Sequence, residues 1–128
     1  MRLLLDTHAF LWFVLGDSRC STSARSLIED EGNEKWLSPA VHWEMAIKIS
    51  LGKYTLPIPF EEFIERAVTN NGFRFVPIQP NHTALLTTMP YHHRDPFDRL
   101  MIAQAMAEQM QIISTDKAWD AYGVTRLW

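Results

Sequence analysis

A single cysteine, Cys20, stands in a chain of 128 residues. No internal disulfide is possible, and no cysteine-based zinc site can be assembled. A reducing, cytoplasmic setting fits that usage best. Glycine is sparse, five residues in all, and nowhere forms a phosphate-cradling loop. No serine sits in a nucleophile-elbow sequence. Long apolar runs are missing too. Met1-Arg2-Leu3-Leu4-Leu5 opens in the manner of a secretory signal, but Asp6 and His8 interrupt it. The next run, Ala9 to Leu15, has seven residues, far short of a membrane span. We therefore expect a soluble protein without membrane association. Positive charge is not in excess either: 12 Lys+Arg against 15 Asp+Glu give a formal net charge of −3. That balance does not fit a binder held on nucleic acid by bulk charge; such contact would need a local basic surface or a bound cation.

What is present is the material for one core. Apolar residues make up 47% of the chain, with five Trp, three Tyr and seven Phe. The length corresponds to one domain, residues 1–128, without repeat, low-complexity tract or linker. Short apolar segments alternate with helical ones. Arg2 to Leu5 reads as a strand covered on both faces. Lys35 to Leu37, Phe73 to Val76, Gln111 to Ser114 and Val124 to Leu127 are further strand candidates. Helices are expected from Thr7 to Leu15, from Ser21 or Thr22 to Asp30, and from Ser38-Pro39 to Leu51. Others follow from Phe60 to Asn70, Asn81 to Thr88 and Asp95-Pro96 to Gln109, with a short one from Lys117 to Tyr122. Prolines just inside helix starts and glycines just past their ends mark these boundaries. The alternation predicts a parallel sheet between helical layers, in which functional groups gather outside the carboxyl ends of the strands.

Four acids stand where a core would prefer carbon. Asp6 follows Leu3-Leu4-Leu5, and Asp116 follows Ile112 to Thr115; each is either the cap of the next helix or part of a crevice at the strand ends. Glu44 lies in a helix apolar nearly all round, which predicts that the helix is largely buried. Its simplest role is an i,i+4 pair with Lys48, yet a carboxylate among so many apolar neighbours requires a partner. Asp98 heads an apolar stripe with Met101, Ile102 and Ala105. It fits a capping box behind Asp95 as well as a functional site. Asp95 itself reads as the cap. If the four converge, a divalent cation would relieve their repulsion. An all-oxygen set selects Mg²⁺ or Mn²⁺, which suits phosphodiester hydrolysis and lets an acidic protein work on an anionic polymer. Lys48 and Arg99 are expected beside the acids. His92-His93 reads as solvated loop, with contact to phosphate or metal as the alternative. Trp12, Phe13, Trp36 and Trp43 read as core or interface residues.

The sequence resembles PIN-domain proteins, specifically VapC-type toxin ribonucleases of bacterial toxin–antitoxin pairs. The resemblance spans nearly the whole chain. It rests on Leu3-Leu4-Leu5-Asp6-Thr7-His8, on Ser38-Pro39-Ala40 through Trp43-Glu44 and Lys48, and on Gly52-Lys53. The most specific stretch runs from His93-Arg94-Asp95-Pro96-Phe97-Asp98 to Ala105, followed by Ile113-Ser114-Thr115-Asp116 and the ending Tyr122-Gly123-Val124 with Leu127-Trp128. The resemblance implies a three-layer α/β/α fold with a five-stranded parallel sheet, order 3-2-1-4-5. It implies metal-binding catalytic acids at Asp6, Glu44, Asp98 and Asp116, with the Ser114 hydroxyl supporting the carboxylates; Thr7, Lys48 and Arg99 are further supporting candidates from their places beside those acids. It further implies Mg²⁺- or Mn²⁺-dependent RNA cleavage, a homodimer and a VapB-like antitoxin that blocks the site. Trp119 departs from the more usual Phe. The alternative is a non-catalytic PIN-fold module that binds RNA or protein; the complete acidic set argues for the enzyme.

Overall fold

The computed structural model describes Met1–Trp128. Its centre is β1 (Arg2–Leu5), whose Leu3, Leu4 and Leu5 have no exposed surface. An uninterrupted leucine run suits a strand buried on both faces, since alternate side chains point to opposite sides and neither side meets water. On one flank β1 pairs in parallel with β2 (Glu34–Leu37), which in turn pairs with β3 (Phe73–Phe75). On the other it pairs with β4 (Gln111–Ile113), followed by β5 (Arg126–Leu127). The order is therefore 3-2-1-4-5, all parallel, as expected. Right-handed crossovers then put the connections to β2 and β3 on one face and the returns to β4 and β5 on the other. This is the three-layer α/β/α arrangement.

The helices are α1 (Thr7–Val14), α2 (Thr22–Glu29), α3 (Pro39–Ser50), α4 (Phe60–Asn71), α5 (Pro80–Leu86) and α6 (Pro96–Glu108). A 3₁₀ turn covers Lys117–Tyr122. The strand-to-helix junctions after β1, β2 and β4 are capped by short polar side chains. Asp6 accepts from the Ala9 N–H at 2.7 Å, Ser38 from Ala40 at 3.1 Å, and Asp116 from Ala118 at 3.0 Å. Asp95 begins α6 by accepting from both Phe97 and Asp98 N–H groups, at 2.8 and 3.1 Å. These caps satisfy donors that the first helical turn leaves free, and they hold the helix starts at one edge of the sheet.

Register brings that edge together. Leu5 lies beside Leu37 on one side and Ile113 on the other. The residues that follow, Asp6, Ser38 and Ser114, therefore emerge at the same level. Above them the starts of α3 and α6 meet, with Trp43 edge-on to Phe97 at a centroid distance of 5.0 Å. The expectation of a largely buried α3 is corrected here. Ala40, Val41, Glu44 and Met45 are buried, but Trp43 is 57% exposed and Leu51 64% exposed, with Ile47 open between them. One face of α3 is buried within the chain, whereas the second apolar stripe stays largely open to solvent despite the edge contact of Trp43 with Phe97.

The cap of α6 is open to a direct test. Replacing Asp95 with alanine should destabilise the protein by about 1 kcal/mol, the usual cost of losing an Asp cap. Urea denaturation should show a lower midpoint with an unchanged slope; an unchanged midpoint would mean that Asp95 does not hold the start of α6.

Candidate metal centre

Asp6, Glu44, Asp98 and Asp116 all line one crevice of about 180 Å³ at the carboxyl edge, with Thr7, His8, Lys48, His93, Asp95 and Thr115, and no apolar residue. Four segments distant in sequence supply the acids. Asp6 and Asp116 lie past the ends of the adjacent strands β1 and β4. Glu44 comes from the second turn of α3, and Asp98 from the first turn of α6.

The environments of the acids differ. Asp6 is buried, and burial pushes its carboxyl above the ordinary range. The Ser114 hydroxyl and the Ala9 N–H oppose that rise. Ser114 is itself fully buried and accepts from the Asp116 N–H at 3.0 Å, so it serves both strand-end acids. Glu44, also buried, accepts from the Thr7 hydroxyl at 2.5 Å and pairs with the Lys48 ammonium at 3.3 Å. Asp98 is pushed up to about 7, first by burial and then by the charge of Asp95, with Asp6 and Glu44 adding to it. Burial also raises Asp116, but the Ala118 N–H and the His93 ring outweigh it and hold that carboxyl below the usual range.

His93 is the residue that sequence reasoning misplaced. Its ring is mostly buried, and Nε2 lies 3.0 Å from Asp98 and 2.8 Å from Asp116. It is therefore a bridge between two acids, and the expectation of solvated loop is corrected. Nδ1 accepts from the Asp95 N–H at 3.1 Å, so Nε2 carries the ring proton toward the carboxylates. One ligand atom from each of His93, Asp98 and Asp116 falls within 4.8 Å of the others. The available signal was local: a histidine five residues before Asp98, in the loop that delivers α6 to the strand ends.

Arg99 is a second correction. It does not reach the crevice. Its guanidinium donates to the Pro90 carbonyl at 2.9 Å and the Met89 carbonyl at 3.3 Å, and it stacks 3.9 Å from the Tyr91 ring centroid. Consecutive residues on a helix point about 100° apart, so adjacency to Asp98 sends Arg99 to another face. Lys48, one turn from Glu44, does line the crevice.

The local pattern left open whether Asp98 is merely a cap. Asp95 accepts the N–H bonds at the start of α6, while the Asp98 carboxylate faces His93. The donors in the crevice are mainly carboxylate oxygens. That chemistry fits a hard divalent cation such as Mg²⁺ or Mn²⁺.

The sequence matches the family model of the PIN domain over residues 3–124. The chain belongs to the PIN-domain family. Its PIN fold is also that of solved structures. One is VapBC2 from Rickettsia felis bound to a DNA fragment from their promoter: TM-score 0.68, 12% identity, covering 99% of this chain and 98% of that one. FitAB bound to an IR36 DNA fragment gives TM-score 0.69 and 18% identity, covering 98% and 93%. FitAcB from Neisseria gonorrhoeae gives TM-score 0.67 and 16% identity, covering 98% and 96%. No curated protein matches the sequence significantly. No helix of this PIN domain is long and apolar enough to cross a membrane.

The raised Asp98 makes stability depend on pH in a defined direction. In the folded chain Asp98 holds its proton up to about pH 7, whereas in the unfolded chain it loses it near 3.8, the ordinary value of an aspartate. Below the lower value both states are protonated and the group contributes nothing. As pH rises through the higher one, its burial becomes a full destabilisation. Thermal melts in EDTA should therefore show the protein gaining stability from about pH 8 down to about pH 5. Asp98→Asn should reduce that gain, the raised Asp6 keeping a part of it, and be the more stable protein at the alkaline end. Parallel curves for the two proteins would contradict this account.

Proposed function

We propose that this PIN domain is an endoribonuclease that requires Mg²⁺ or Mn²⁺ and acts as the toxin of a toxin–antitoxin pair. The observation that carries the reading is the convergence of Asp6, Glu44, Asp98 and Asp116 on one apolar-free crevice. A cluster of acids, two buried and two half-buried, in which Asp98 is pushed up to about 7 is stabilised by binding a cation rather than by folding alone. Asp6, Glu44, Asp98 and Asp116 would hold the ion. When bound, it supplies charge neutralisation at the phosphate and an activated water.

The chain's own groups prepare that site. Thr7 and Lys48 fix the Glu44 carboxylate from two sides. Ser114 and Ala9 orient Asp6. His93 stands between Asp98 and Asp116, and its Nε2 proton offsets their repulsion. Lys48, at the crevice and partly open to solvent, is placed to meet a phosphate oxygen of RNA. Arg99 has no part in this chemistry; it positions the loop carrying His93.

The partner reading rests on surface as well as on likeness. Trp43, Ile47 and Leu51 form an open apolar stripe on α3, of the kind that a protein contact covers. The similar structures include VapBC2 and FitAB assemblies. An antitoxin would cover apolar surface and insert a basic side chain among the acids, for which arginine is suited by its bidentate geometry. A homodimer and a cytoplasmic setting belong to the same proposal.

The purified protein should cleave a mixed RNA pool with Mg²⁺ or Mn²⁺ and not in EDTA, and Asp98→Asn should lose the activity. A cation that binds only the folded state should stabilise the wild type by about 2.7 kcal/mol at 100 times Kd, and Asp98→Asn by less. Metal binding without cleavage of any RNA would favour the non-catalytic module. Separately, the product of the adjacent gene should copurify with this chain. No binding between the purified pair would count against the toxin role.

A further inference from the structure

We propose that the groove between α1 and the Lys53–Leu56 segment is a nucleotide subsite for single-stranded RNA flanking the scissile phosphate. The inference rests on the ribonuclease reading above and gives its substrate a path. The groove encloses about 270 Å³ and includes His8, Trp12, Arg19, Lys53, Tyr54 and Leu56 in its lining. It continues the acidic crevice. His8 lines both, and Lys48, inside the crevice, donates to the Tyr54 hydroxyl at 3.4 Å.

Two independent features favour RNA as the occupant. The first is aromatic. The His8 ring is exposed and stacks on Trp12 at 5.4 Å with planes 26° apart, and the Arg19 guanidinium lies 5.0 Å from the Trp12 ring centroid. Both groups lie against the Trp12 ring, and His8 stands at the junction of groove and crevice. Tyr54 offers a second ring in the same groove. Unpaired bases are held on such surfaces whatever their sequence.

The second feature is where free positive charge remains. Arg2, Arg19, Arg25, Lys48, Arg66, Arg74 and Arg126 are engaged with carboxylates. Arg99 is buried against carbonyl oxygens. Of the basic residues that have no carboxylate partner, Lys53, Arg94 and Lys117 are exposed. Lys53 lines the groove, Arg94 stands between His93 and Asp95, and Lys117 follows Asp116. A protein of net charge −3 thus keeps an uncommitted exposed cation, Lys53, in the groove that adjoins its most acidic crevice. That pattern draws a polyanion across the crevice. A base stacks on His8 and Tyr54 in the groove, and Lys53 meets its phosphate.

The test uses a labelled single-stranded RNA of about eight nucleotides and the full chain carrying Asp98→Asn, which binds without cutting. Fluorescence anisotropy should show Kd rising about tenfold on adding Tyr54→Leu, the order expected for one stacked base. Adding Lys53→Ala should weaken binding and reduce the slope of log K against log salt by about 0.7, the loss of one phosphate contact on a single strand. In the cutting-competent chain, either groove change should raise KM with kcat nearly unchanged. Lys53 is exposed in a loop, so its variant carries the test even if Tyr54→Leu folds poorly. Cleavage with unchanged Kd, salt slope and KM in both variants would overturn the groove and leave the ribonuclease reading intact. Loss of partner binding alone, with RNA affinity unchanged, would also overturn it, making the groove a protein site. Wild type that binds RNA through Lys53 yet never cuts it would uphold the groove and overturn the ribonuclease reading.

Discussion

Repulsion among carboxylates is the constraint around which this PIN domain is arranged. Two such charges about 4 Å apart repel by roughly 4 kcal/mol at an effective dielectric near 20, an upper figure that protonation and water reduce. The chain brings four to one crevice and relieves them unequally. Glu44 receives an ammonium and a hydroxyl. Asp116 receives a backbone N–H and an imidazole. Asp6 receives a hydroxyl and a cap bond. Asp98 shares that imidazole, yet its burial and the charge of Asp95 still raise it to about 7. Burial thus leaves Asp6 and Asp98 raised while Asp116 is held down, so the crevice carries acids of opposed tendency side by side.

The fold makes the arrangement affordable by keeping that strain at the edge of the sheet. The central leucines of β1 and the isoleucines of β4 are fully buried. Apolar burial of this kind contributes about 25 cal/mol per Å² and is indifferent to ionisation at the strand ends. Polar caps then start α1, α3, α6 and the 3₁₀ turn at that edge. Asp6 and Asp116 are cap and crevice acid at once, so the choice between those roles posed by their sequence positions is not a real one. Asp95 and Asp98 divide the roles instead.

Much of this was legible in the sequence. Strand order followed from the family resemblance, and the alternation of apolar runs with capped helices placed the elements to within a few residues. The four acids were legible because carboxylates at the ends of buried strands and at the heads of apolar stripes are hard to explain as core. His93 was not, because its partners lie 5 and 23 positions away, and nothing in a short polar loop says which way a ring turns. Arg99 failed for the opposite reason: adjacency in sequence is not adjacency on a helix. The exposed half of α3 was hidden by its own composition. A helix apolar all round looks buried whether its second face is covered within one chain or between chains.

The grip of Arg99 on the Met89 and Pro90 carbonyls has a consequence for motion. Tyr122, at the end of the 3₁₀ turn, joins the same bracket: its hydroxyl donates to the Pro90 carbonyl at 2.8 Å and accepts from the His93 N–H at 2.9 Å. One turn of α6 thus carries Asp98 directly, steadies the loop of His93 through Arg99, and reaches the turn that Asp116 caps. Asp116 is tied to that frame through His93 and, through the pairing of β4 with β1 and the shared Ser114 hydroxyl, to Asp6 as well. The starts of α3 and α6 are joined by Trp43 and Phe97, so the crevice is braced from both sides and resists widening as a single unit.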